Sequence, residues 1–400
     1  MKRLFSFIAI ASLLTIPSYA DFNGNGYYRV KNYGSGRWAS MIDNRAEVDW
    51  GATNVELHAI QLSNDTEEVL ADPASIVYIM SEGGNQYDVA AQGTSLKNLV
   101  GYPVKFGPET PGADGQMLYR IYGTYENATK YIGDKNVLVE DKLGNATTSP
   151  LSGFPNFVKW QIIPVSETGA NYFGSVPTVK VGNNLYTTLF TSFPYKPYSS
   201  NVKAYYIGRI YGGAAEMIEI TGNIPQGTPV IIQCAGDLSS DNKMTIIDSQ
   251  PAISNNSLRG VYFNYNYRNT LVNQVKYNPA TMRVLGECSD GSLGFITSPT
   301  LDAIPANTAY LLVPAGSPTE IKCLSPADFV VGIEDVVSDD FTLHYHAGIV
   351  SCSSPMRITV IDLAGKTVAQ AYGGSLNISH LHKGLYIAMA GNKTLKVIVN

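Results

Sequence analysis

Residues 384–400 read GLYIAMAGNKTLKVIVN. The stretch predicts two short strands with a turn between them, and the second strand runs to the last residue. Most chains end in a few loose polar residues. An ending on a strand points to β structure built up to the final position. The same signature recurs upstream. YYRVKN at Tyr27, TKYIGD at Thr129, TPVIIQC at Thr228, TAYLLVP at Thr308 and MRITVIDL at Met356 are rich in Val, Ile, Thr and Tyr, the residues that favour strands. Short gaps crowded with Asn, Thr, Ser and Gly separate them. After residue 20 no long stretch carries a helical period, so the fold class expected is all-β.

The other end of the chain is of a different kind. MKRLFSFIAIASLLTIPSYA opens with Lys2 and Arg3, continues with an almost wholly apolar run from Leu4 to Ile16, and closes on Ser18-Tyr19-Ala20. A basic start, an apolar run and small residues before a cut are the parts of a secretory signal. The run is shorter than the roughly 20 apolar residues of a membrane span and is broken by Pro17. Residues 1–20 are therefore expected to be a cleaved signal, with the cut between Ala20 and Asp21. Removing Lys2 and Arg3 takes the charge from −5 to −7, because residues 1–20 hold no acid. A mildly acidic chain with 15% charged residues gives no footprint for nucleic acid. Export permits disulfides. Cys234, Cys288, Cys323 and Cys352 allow three pairings, and free, buried cysteines are the equal alternative.

Between the two ends lie three regions. Residues 21–165 carry three similar openings: YYRVKN at Tyr27, IVYIMS at Ile76 and MLYRIY at Met117. RWASMIDNRAEVDW in the first unit matches KYIGDKNVLVEDK in the third. VELHAIQL, YPVKFG and VKWQIIPV close the units. Units of this length cannot each cover an apolar face, so three are expected to close around one core with threefold equivalence. This region resembles the ricin-type β-trefoil family, although that family's Gln-x-Trp signature is absent, Trp160 preceding Gln161. Residues 172–325 hold a second repeat, IPQGTPVIIQCAG from Ile224 and IPANTAYLLVPAG from Ile304, 80 positions apart. Pro225 and Pro305 stiffen the approach to a buried strand, and Gly227 or Asn307 is placed to take a left-handed turn. The region is similar to a β-rich domain common in secreted Bacteroidetes proteins, and a sandwich-like domain is expected.

A linker is expected at 326–340. DFVVGIEDVVSDD holds Asp328, Glu334, Asp335, Asp339 and Asp340 and no base, whereas 341–400 hold five bases and one acid. In the tail, VIDLAGKTV reads as a hairpin, and LHKGLYIAMA as a turn leading into a strand. A hydrophobic strand ending Asp-Leu-x-Gly, then Leu-x-x-Gly-x-Tyr, then a closing strand with a lysine is the pattern of the C-terminal sorting domain of type IX secretion in Bacteroidetes, which residues 341–400 resemble. The positions are Asp362, Leu363, Gly365, Leu381, Gly384, Tyr386 and Lys396. The resemblance implies a small Ig-like sandwich, the type IX export machinery as a partner, and a secreted or outer-membrane-surface destination reached through the periplasm.

Candidate chemistry is sparse. His344 and His346, and His380 and His382, are alternate pairs that could each turn two imidazoles to one face, yet no Cys or carboxylate stands beside them, and no metal or other cofactor is expected. The one histidine between the signal and the tail, His58, lies in a closing strand, and no Gly-x-Ser-x-Gly occurs, which argues against nucleophilic catalysis. Aromatic residues are the better lead, because sugar-binding proteins stack pyranose faces on Trp or Tyr and hold hydroxyls with Asp or Asn. RWASMIDNRAEVDW offers Trp38, Asp43, Asn44, Asp49 and Trp50. YFNYNYRN offers Tyr262, Tyr265 and Tyr267, which read equally as cross-strand pairs. The reading that results is an exported binding protein, lectin-like or adhesin-like, for glycans or cell-surface ligands. A secreted hydrolase or enzyme accessory protein with a divergent site, and a structural surface-layer component, are the alternatives.

Overall fold

The structure is a computed structural model. It describes residues 22, 24–44, 56–97, 103–125, 128–134, 143–147, 155–248, 250–264, 274–329, 341–391 and 393–399. The expected signal and its cut at Ala20 and Asp21 lie outside these, as does most of the acidic stretch. The protein is all-β, with only short helical pieces between strands. No helix among the described residues is long and apolar enough to cross a membrane.

The first region supplies strands β1 (Gly26–Asn32), β2 (Trp38–Met41), β3 (Glu56–Ser63), β4 (Val77–Gly83), β5 (Gln86–Ala91), β6 (Thr94–Ser95), β7 (Val104–Pro108), β8 (Tyr119–Tyr125), β9 (Ala128–Tyr131), β10 (Gly133–Asp134), β11 (Leu143–Thr147) and β12 (Lys159–Pro164). Six of them form a closed ring, β1-β12-β8-β7-β5-β4, sealed by the antiparallel pairing of β4 with β1. Closure removes the exposed edges of a sheet. Tyr28, Val30, Ile79, Val89, Val104, Phe106, Ile121, Trp160 and Ile162 fill the interior. The Trp160 indole N–H donates to the Ile132 carbonyl at 2.8 Å. Phe22 packs against the rings of Tyr28, Tyr87, Phe106 and Tyr119, with centroids 5.2 to 5.6 Å apart.

The expected threefold equivalence is not how this ring is arranged. Equivalent openings would occupy alternate places, but β1 and β4, which open the first two units, are hydrogen-bonded neighbours. The physical reason lies in β3, the closing strand VELHAIQL. It pairs with β2 and β11 outside the ring, leaving its expected place to β4.

The second region contains a ten-stranded sheet and a three-stranded one. Ile224 and Ile304 of the two repeats are both fully buried. Gly227 (φ +66°) and Asn307 (φ +57°) both take the left-handed conformation, each ahead of its strand, Val230–Cys234 and Thr308–Leu312. These positions behave as the repeat predicts.

A compact unit spans the expected boundary between 165 and 172. The described residues up to Arg209, with Ile218–Lys322, form one compact unit. Residues 166–171 make a tight turn, with the Ser166 N–H donating to the Asn171 carbonyl at 2.9 Å. Asn171 donates back to the carbonyls of Ile163 (2.9 Å) and Pro164 (2.8 Å). Alternate residues of β1 explain the join. Tyr28 and Val30 point into the ring, and Arg29, on the other face, is fully buried. Its guanidinium donates to Ser75 Oγ (2.7 Å), Asn171 Oδ1 (2.8 Å), the Tyr172 carbonyl (2.6 Å) and the Leu70 carbonyl (3.2 Å). Burial pulls its pKa down to about 9 against the opposing charge of Asp72, so it stays charged at neutral pH.

The second compact unit comprises Ile210–Met217 and Cys323–Asn400. Its sheet runs Leu343–His346, Ile349–Ile361, Gly384–Ala390 and Lys393–Val399, with Thr367–Asn377 on the long second strand. That strand shifts register between Ser351 and Met356, which bends it. Phe341, Val350, Ile358, Val360, Leu376, Ile378, Ala388, Val397 and Val399 make the core.

Replacing Arg29 strands four acceptors without their donor. Leaving buried polar groups unpaired costs about 1–3 kcal/mol each. Arg29→Ala is expected to lower stability by about 3 kcal/mol or more, and Arg29→Lys to recover only part of it, because an ammonium lacks the planar fork. Urea unfolding of the three proteins checks this.

Candidate functional site

Of the residues first expected to bind a ligand, two that the structure describes, Trp38 and Asp43, are buried. Trp38 is buried, packed with Val69 and Ile163, and the Lys31 ammonium covers its ring at 4.9 Å. Asp43 is almost fully buried and Asn44 is exposed. Trp38 and Asp43 are thus buried positions, and α1 (Thr66–Ala71), which supplies Val69, covers the face that Trp38 occupies. Asp49 and Trp50 lie outside the described residues, as do Tyr265 and Tyr267. Tyr262 stacks on Phe190, centroids 4.2 Å apart at 27°. It donates to the Thr191 carbonyl at 3.3 Å, and burial pushes its pKa up to about 12. It secures a loop.

The tail residues occupy turns and strand positions. Asp362 Oδ1 accepts the N–H groups of Ala364 (2.9 Å) and Lys366 (3.0 Å). Gly365 turns the hairpin at φ +82°. Leu381 packs on the tail core, Tyr386 donates its hydroxyl to the His382 carbonyl at 2.9 Å, and Gly384 pairs with Val399. Lys396 is exposed. His344 and His346 sit exposed on a strand, whereas His380 and His382 fall in the turn before Gly384. The thiols of Cys234, Cys288 and Cys352 are free, so none of the pairings allowed to the four cysteines joins any of these three. Burial pushes the Cys234 thiol up to about 11.

A different set of side chains converges where the ring meets the second region. Tyr27 of β1 and Tyr78 of β4 face each other across the seam that closes the ring. Their centroids are 4.9 Å apart, tilted by 51°, and Phe193 lies 5.9 Å from Tyr27. They border a cleft of about 610 Å³ together with Asp88 of β5, Thr94 and Ser95 of β6, and Ser192, Gln226 and Asp248 of the second region. Register places Ala90 opposite both Tyr78 and Ser95, so the small side chain leaves room beside the ring. Asp88 Oδ1 accepts the Lys97 N–H at 3.2 Å. Burial, then Tyr78, then Asp248 raise the Tyr27 pKa above its ordinary value, so the phenol keeps its proton at neutral pH and remains a donor. The cleft thus combines two half-buried aromatic faces with carboxylates, hydroxyls and an amide.

A second, wider cleft of about 790 Å³ is bordered by Asp65, Glu67, Glu68, Asp72 and Asp237. Its described lining residues include no aromatic ring, and two of its acids serve the backbone. Asp65 caps α1 through the Glu68 N–H at 3.3 Å, and Asp72 accepts from Ala74 at 2.9 Å. Asp72 also belongs to a relay across the join. It accepts Ser40 Oγ at 2.7 Å and Asn307 Nδ2 at 3.2 Å, and Asn307 in turn accepts from Gln92.

No single motif announces Tyr27, Tyr78 and Asp248, because strand pairing brings them together from distant parts of the chain. The available signal was the tyrosine in each opening strand. No protein-family model matches the chain, and no curated protein matches it.

Burial raises the Asp72 carboxyl above its ordinary pKa, outweighing the hydrogen bonds from Ser40 and Ala74 and the charge of Arg29. The folded state then binds this proton more tightly than the unfolded chain, so Asp72 stabilises most at low pH. Its contribution falls as pH rises from the ordinary carboxylate value through the folded-state value. Asp72→Asn is expected to gain stability relative to wild type across that window and to hold a constant difference above it, as measured by denaturation at stepped pH.

Proposed function

We propose that this chain is an exported glycan-binding protein whose ligand rests in the tyrosine cleft. One observation carries the reading: Tyr27 and Tyr78 line the cleft as adjoining, half-buried rings beside Asp88, Asp248, Gln226, Thr94, Ser95 and Ser192. A pyranose has an apolar face of C–H groups and a rim of hydroxyls. The first stacks on a half-buried ring, and the second bonds carboxylate and amide groups. A mixed lining of this kind favours that chemistry over a purely apolar ligand. Export is supported by the signal-like start and by the tail's likeness to a type IX sorting domain. The tail is then the part read by the export machinery, and the unit preceding it the cargo.

Binding to a printed glycan array tests the first half. Wild type is expected to retain a set of glycans, and Tyr78→Ala to lose at least about tenfold in affinity for them while keeping its circular dichroism spectrum. Retention unchanged in Tyr78→Ala would remove the cleft from the reading.

Deletion of 341–400 tests the second half. The cores of the first unit include no residue from the tail, so the truncated protein is expected to fold and accumulate in the periplasm of the producing cell. Equal surface display of full and truncated chains, seen by fractionation, would show that the tail does not direct export.

A further inference from the structure

Among the described residues, every charged side chain bordering the tyrosine cleft is an acid. Asp88 and Asp248 are its carboxylates, and no lysine or arginine is among its lining residues within the described part of the chain. Lys97, just beyond β6, donates its backbone N–H to Asp88 and also feels that carboxylate's charge, though less than that of Glu82. Its ammonium is engaged by Glu82 at 2.8 Å. The remaining polar groups, Thr94, Ser95, Ser192, Gln226 and the protonated Tyr27, are neutral. Asp88 is buried, where its charge is screened less than on an open surface.

We infer that the cleft selects neutral and cationic saccharides and rejects anionic ones, an inference that rests on the glycan-binding reading above. A uronate, sialyl or sulfate group brought between Asp88 and Asp248 meets like charge, with no cation among the described lining residues to offset it. An amino sugar meets the opposite sign. Hydroxyls of a neutral sugar donate to the carboxylates without a change in net charge, and the carboxylates need no protonation to accept them.

The test uses the full exported chain on an array of oligosaccharide cores. Each core is printed in four forms: unmodified, with a uronate or sialyl group, with a sulfate, and with an amino substituent. Binding is read at low and at physiological salt. The unmodified core is expected to bind at least about tenfold more tightly than its acidic forms, and the amino form more tightly still. The gap is expected to narrow as salt rises and to narrow again in Asp248→Asn. Asp248 is exposed, so that substitution leaves the fold intact. Asp88→Asn keeps an acceptor for Lys97 and provides the second variant. Acidic forms bound as tightly as their cores, or a gap unchanged in both variants, would overturn the inference while leaving glycan binding standing. Absence of binding to every core would overturn the glycan reading and this inference with it.

Discussion

The buried guanidinium of Arg29 is the constraint around which the described residues of the first compact unit are organised. A charge out of water needs its donors satisfied, and the acceptors here come from separate pieces of chain: Leu70 and Ser75 around the short helix, and Asn171 and Tyr172 after the last ring strand. Meeting that requirement fixes the turn at 166–171, the position of the helix and the approach of the second region together. Asp72, hydrogen-bonded to Asn307, adds a second tie across the same join. The ring and the region after it are one unit because neither could leave the other without exposing or orphaning these groups.

Strand identity was legible in the sequence, because alternation and β-branched composition are local. The turns at Gly227 and Asn307 were legible for the same reason: a repeat that needs a left-handed residue shows it at a fixed offset. What lies beyond one strand was not. Alternation in YYRV sets Tyr28 and Val30 on one face and Tyr27 and Arg29 on the other. It does not say that the second face is covered. Arg29, on that second face, is fully enclosed in the fold.

The same limit explains the two misplacements. Three similar openings suggested threefold closure, but pairing is decided between distant strands, and β3 bonds β2 and β11 in place of the ring. Trp38, with Asp43 and Asn44 close by, looked like a sugar platform because aromatic and acidic residues crowd one short segment. The face that Trp38 occupies is closed by Val69, 31 positions later. The tyrosines that do border a cleft come from different units. Their proximity depends on the β1–β4 register, which no local pattern encodes.

That register gives the cleft a mechanical character. The seam between β1 and β4 spans three residue pairs, Gly26↔Ile79, Tyr27↔Tyr78 and Tyr28↔Val77, and Tyr27 and Tyr78 are its middle pair. Tyr28, the next residue on β1, points inward to the ring core. A molecule laid across both tyrosine rings acts as a rivet over the joint of the barrel. By linkage, anything that binds only the closed ring adds to its stability in proportion to the logarithm of its concentration. Occupancy of the cleft and the resistance of the barrel to being pried open are two readings of one equilibrium.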